Sequence, residues 1–182
     1  MRLGVIGLGV MGMPIARHLK AEGVDVVGYD VEDRAMAGFV ALGGAPATSA
    51  REVAERVELV LTLLPSARAL ADVVAGLAKA GGGARVDAEC SRLPIATKIE
   101  ARDLLASVGV DRLHCPLSGT GAQAEKRDLV VLASGPRAGY ERALETFQTF
   151  SRAQKISGRL QQRKPHEIRR QPSGEHPQRR RR

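Results

Sequence analysis

The chain has 182 residues, room for one domain with a sizeable core and a short appendage. Apolar residues make up 43% and aromatic residues 3%, so that core must rest on Leu, Val, Ala and Ile. The net charge of +8 sits at one end: Arg159 to Arg182 carries nine Lys/Arg and two Glu, leaving 19 basic and 18 acidic groups on the body, which excludes a broadly basic surface there.

In chain order, short Val/Ile/Leu runs alternate with segments of helical period. "RLGVIGLG" reads as a strand, Met11 to Glu22 as a helix, "VDVVGYD" as a strand and Arg34 to Leu42 as a short helix. Ser49 to Arg56 is helical, "ELVLTLLP" a strand, Ala67 to Ala78 a helix and "ARVDAEC" a strand. Ile95 to Ser107 continues as a helix, "VDRLHCP" and "DLVVLASG" as strands, and Tyr140 to Phe150 as the last helix. Strands that are apolar nearly throughout, separated by helices, predict an α/β fold with a doubly wound, Rossmann-like parallel sheet covered on both faces. Apolar periodicity ends after Ser157, so the expected organisation is a domain over 1–158 and a basic, disordered tail over 159–182.

No charged leader with a cleavage site opens the chain, and "LVLTLLP" is too short to span a bilayer, so neither export nor a membrane is expected. Cys90 and Cys115 form no CxxC pair and no metal spacing. They read as small buried hydrophobes in a reduced, cytoplasmic protein, with no metal site.

"VIGLGVMG" sets Gly7, Gly9 and Gly12 in G-x-G-x-x-G register, after a strand and at the opening of a helix. Gly7 permits the tight turn, Gly9 lets backbone N–H groups approach a pyrophosphate, and Gly12 lets helix and strand pack closely. The whole turn, Gly7, Leu8, Gly9, Val10, Met11 and Gly12, is therefore assigned to dinucleotide binding, with the phosphates at the helix N-terminus. Asp30 closes the second strand, where a carboxylate accepts both ribose hydroxyls of an adenosine and repels a 2′-phosphate. This favours NAD; Arg34 close by leaves NADP open.

"RLGVIGLGVMGMPIARHL" resembles the opening of the β-hydroxyacid dehydrogenases, which include 3-hydroxyisobutyrate dehydrogenase and the cofactor domain of 6-phosphogluconate dehydrogenase. "TLLPS", "ECSRLP" and "CPLSGTGAQA" resemble, in order, the family's Leu-Pro segment, its Ser/Thr turn and its substrate loop. The resemblance implies that Leu64, Pro65 and Ser91 border the nicotinamide half, and that Ser118, Gly119 and Thr120 meet a small 3-hydroxy acid. Homo-oligomers remain open. Two positions depart from the family pattern: His114 stands where Asp is usual, and Arg92 where a small hydroxyl residue is usual.

The family's proton-transfer Lys, in a G-x-x-x-K-x-x-x-N pattern expected near residue 160, does not stand in this frame, so no catalytic side chain is assigned. A one-base slip allows Gln162 to Gln171 to read "NGSRMKFAAN", which restores the pattern. The tail is therefore read as a frameshift product, the family's helical C-terminal domain as missing, and this chain as inactive. The alternative is a non-enzymatic dinucleotide-binding module whose basic tail grips a nucleic acid or a partner. The tail offers no aromatic for base stacking, which argues against nucleic acid.

Overall fold

A computed structural model describes residues 2–157, so the basic tail, its expected disorder and the shifted frame lie outside the described residues. The chain begins with β1 (Arg2–Ile6), α1 (Gly12–Ala21), β2 (Asp25–Tyr29), α2 (Asp33–Ala41), β3 (Ala45–Pro46), α3 (Ala50–Arg56), β4 (Leu59–Thr62) and α4 (Ala67–Ala78). It continues through β5 (Val86–Glu89), α5 (Ile95–Ser107), β6 (Asp111–His114), β7 (Leu117–Ser118), α6 (Gly121–Glu125), β8 (Leu129–Ser134), α7 (Arg137–Phe150) and β9 (Ser151–Ser157). Among the described residues these strands form one sheet, running β3-β2-β1-β4-β5-β6-β8, with β7 and β9 also paired to β8.

From β3 to β6 every pairing is parallel, and the order reverses between β1 and β4. The doubly wound Rossmann-like expectation holds in this region. β8 differs, lying antiparallel to β6 and β7. The reason is reach. A parallel return needs a long crossover, and α6 has only five residues, a rise of about 7.5 Å. It cannot carry the chain back along β6, so β8 sets out opposite β7 and runs back until its last residue, Ser134, pairs with His114 at the end of β6. The fourteen residues of α7 do make the return, and β9 runs parallel to β8.

Alternation along the strands divides the core. Leu3, Val5 and Val26 pack on one face with Ile15 and Leu19 of α1 and Ala143, Phe147 and Phe150 of α7. Ile6, Val27 and Val60 pack on the other with Val53 of α3, Leu70, Val74 and Leu77 of α4, and Leu105 of α5. Aromatics are few but deep: Phe147 and Phe150 are enclosed, with ring centroids 6.2 Å apart in an edge-on arrangement.

The second face also holds charge. Asp87 pairs in register with Arg112, and Glu89 with His114, so these side chains lie on one side of β5 and β6. Arg112 contacts Asp87, which also accepts a 3.0 Å hydrogen bond from the Thr62 hydroxyl. Lys98 enters from α5 to meet Glu89.

Candidate functional site

At the strand-order reversal, beyond the carboxyl ends of β1, β4 and β5, lies a cleft of about 910 Å³. Its floor begins at the turn after β1. Gly7 has φ +93°, and a side chain there would overlap the Leu63 carbonyl, so the turn demands glycine. A Cβ on Gly12 would overlap the Gly7 carbonyl oxygen, which is how α1 comes to seat so close to β1. A Cβ on Gly9 would meet no atom within 4 Å, so packing does not require glycine there.

Gly7, Gly9, Val10, Met11 and Gly12 all line the cleft. Leu8 does not: its side chain is buried, and its N–H donates to Asp30 Oδ2 at 2.6 Å. The other Asp30 oxygen accepts the Glu32 N–H at 2.9 Å. Asp30 thus faces the cleft at the end of β2 with its carboxylate held by two backbone donors. α3, α4 and α6 are capped by Ser49, Ser66 and Thr120, whereas α1 has neither a side-chain cap nor an acidic residue in its first turn. Its amides keep the partial positive charge that a bound anion requires.

The opposite wall comes from β4 and β5. Leu64, Pro65 and Ser91 line it together, and Ser91 ties the segments to one another. The Ser91 hydroxyl accepts the Leu64 N–H at 2.7 Å, the Ser91 N–H donates to Glu89 Oε1 at 2.7 Å, and its carbonyl accepts Lys98 Nζ at 2.6 Å. Lys98 Nζ is also 2.8 Å from Glu89 Oε2 and 2.9 Å from His114 Nδ1. Burial would raise the Glu89 carboxyl. Its contacts with His114, Lys98 and the Ser91 N–H outweigh that effect and hold the group below its ordinary value. The Lys98–Glu89 pair escaped sequence reading, although charges alternating through two adjacent strands, "VDAE" and "DRLH", were its visible signal.

Gly119 and Thr120 line the far end, while Ser118 is exposed on β7 and lies off the lining. Thr120 donates its N–H to Gln123 Oε1 at 3.0 Å, and its hydroxyl both accepts the Gln123 N–H and donates to the same Oε1. Its polar atoms are thus committed to capping α6. A Cβ on Gly121 would come within 2.5 Å of Val10, so this loop closes against the glycine turn. Arg92 lines the same end and donates to the Leu117 carbonyl at 3.1 Å. Cys90 borders the cleft and Cys115 is enclosed, and burial pushes both thiols well above their ordinary range.

A parallel sheet with a glycine turn at its switch point and an acidic residue closing β2 defines the dinucleotide-binding class of α/β domains. Residues 2–158 match the model of the NAD binding domain of 6-phosphogluconate dehydrogenase, and the chain belongs to that family. It is 31% identical over 156 residues to L-threonate dehydrogenase of Cupriavidus necator, a match covering 82% of this chain and 51% of that protein. Over 154 residues it is 29% identical to 3-hydroxyisobutyrate dehydrogenase of Pseudomonas aeruginosa, again 82% of this chain and 51% of the relative. Among solved structures, 3-hydroxyisobutyrate dehydrogenase of Mycobacterium tuberculosis with L-serine aligns with a TM-score of 0.83 at 25% identity, covering 87% of this chain and 54% of its own. The chain spans about half the length of the curated relatives it matches. It carries the NAD(P)-binding domain of the β-hydroxyacid dehydrogenases, as the motif resemblance implied. Among the described residues, no helix is long and apolar enough to cross a membrane.

Proposed function

We propose that residues 1–158 form the cofactor half of an oxidoreductase that passes hydride between NAD and a small 3-hydroxy acid. The observation that carries this is Gly9: it borders the cleft, yet a Cβ there would meet only open space, so the free space suits a ligand. In this reading the pyrophosphate lies on the amides of Gly9 to Gly12 at the uncapped start of α1, beyond the Gly7 and Leu8 amides that bond Tyr29 and Asp30. Asp30 takes the adenosine ribose and disfavours a 2′-phosphate, so NAD is preferred to NADP. Leu64, Pro65 and Ser91 flank the nicotinamide, and Gly119 and Thr120 border the acid, with Ser118 adjoining them on β7 outside the lining. The cofactor supplies the hydride chemistry, while the chain supplies position and shape.

Oxidising an alcohol also requires a group that takes the hydroxyl proton. Among the described residues, the ionisable side chains that follow β5 on the lining are Arg92, whose guanidinium only donates, and Cys90, whose thiol burial holds neutral. The 182-residue chain is accordingly proposed to bind dinucleotide while turning over little or none, and 159–182 to arise from a shifted frame. Calorimetric titration with NADH and NADPH tests the core of the reading. Tighter binding of NADH, lost in Gly9→Val, is expected; a protein indifferent to both would end it. Sequencing the gene through the last codons tests the frame: a one-base slip should restore an apolar helical continuation, and the idea falls if none does.

A further inference from the structure

The cleft is polar in the directional sense. Asp30 and Glu32 stand beyond β2, and Arg92 stands beyond β5. The strand order β2-β1-β4-β5 separates them by three strand spacings, roughly 14 Å. A ligand spanning the cleft therefore meets Asp30 and Glu32 beyond β2 and the Arg92 guanidinium beyond β5, with Arg51 of α3, paired to Glu55, and Asp72 of α4 also on the lining.

At the Arg92 end most other donors are committed. The Thr120 N–H and hydroxyl cap α6, the Leu64 N–H goes to the Ser91 hydroxyl, and the Ser91 N–H goes to Glu89. Lys98 is 2% exposed and neutralised by Glu89, so it presents no charge to the cleft. Arg92 is exposed, and among the described residues its one hydrogen bond is NH2 to the Leu117 carbonyl. That bond ties the side chain to β7, while the rest of the planar fork keeps donors suited to an oxyanion.

We propose that Arg92 is the specificity-determining residue that receives the carboxylate of the small acid, in place of the Thr120 hydroxyl. The inference rests on the cofactor assignment above for the orientation of the acid, but the charge at this end does not. A guanidinium pairs with a carboxylate through two parallel N–H···O bonds, and a neutral amide of the same shape gains much less. Arg92 therefore selects for an ionised acid over its uncharged analogue.

The test titrates 3-hydroxypropionate and 3-hydroxypropionamide calorimetrically into the full chain, with and without saturating NADH. Wild type, Arg92→Gln and Arg92→Lys are compared, with melting curves confirming that the exposed substitutions fold. The expected result is that wild type prefers the acid to the amide. Arg92→Gln should lose about ten- to hundredfold in affinity for the acid and almost none for the amide, while Arg92→Lys recovers part of the loss. Equal acid affinity in wild type and Arg92→Gln, or no measurable acid binding by wild type, overturns the proposal. A parallel fall in NADH affinity in Arg92→Gln also overturns it, by assigning the guanidinium to the cofactor. If NADH fails to bind but the Arg92-dependent preference for the acid persists, the cofactor assignment falls and the Arg92 inference stands.

Discussion

Lys98 Nζ lies 2.8 Å from Glu89 Oε2, with side chains 2% and 0% exposed, directly behind the wall that carries Ser91. A pair so enclosed does not have to stabilise the fold relative to an apolar pair, but breaking one side of it is costly. Lys98→Met should destabilise the protein by about 3–5 kcal/mol. Adding Glu89→Gln should recover more than half of that loss, because the orphaned charge disappears while an acceptor for the Ser91 N–H remains. Denaturant melts of the two single variants and the double variant measure the coupling.

The same carboxylate sets an acid limit. Its folded-state value lies below the ordinary one, so its contribution is complete above about pH 4.3 and disappears as the pH falls through the folded value. The stability gap between wild type and Glu89→Gln should be constant near neutrality and close on acidification below pH 4. Urea melts across that range check it, and a gap that widens in acid would contradict the sign.

Two glycines of one turn should respond to the same change in opposite ways. Gly9→Val adds atoms to empty space, so the melting temperature should move by only about 2 °C while NADH affinity falls about a hundredfold or more. Gly12→Val drives a side chain into the Gly7 carbonyl and should cost about 3 kcal/mol or more of stability. Thermal denaturation and calorimetry on the two variants separate a ligand role from a packing role.

Asp30→Ala should weaken NADH binding about ten- to hundredfold and leave NADPH nearly unaffected, so that the preference between them narrows. Asp30 also holds the Leu8 N–H at 2.6 Å and so shapes the glycine turn; loss of that support bears on both dinucleotides, and for NADPH the relieved repulsion of the 2′-phosphate offsets it. Parallel titrations with both dinucleotides provide the comparison.

Much of this architecture was legible because its signals are local. The glycine register, the apolar strands and the acidic residue closing β2 each follow from one short stretch, and the order β1-α1-β2 could be read directly. β3, β7 and α6 escaped notice because elements of two to five residues carry no periodicity. β9 escaped because "SRAQKIS" is a mostly exposed strand whose polar residues need no buried face. The reversal of β8 depends on the length of a connection rather than on the strand's own residues. At the site, the sequence suggested Thr120 as a ligand group, and only the fold reveals that its hydroxyl serves Gln123. Lys98 looks like a surface residue of α5 until α5 is docked on the sheet over Glu89.

Ser91 works as a rivet. Its amide, hydroxyl and carbonyl are each fastened to a different segment, so the turns after β4 and β5 are clamped before any guest arrives. A ligand docking there forfeits little chain entropy, because the contour it meets is already set. Such stiffness has a corollary for evolution. A new guest shape cannot be accommodated by bending this rim, so change must come from side chains that overhang it.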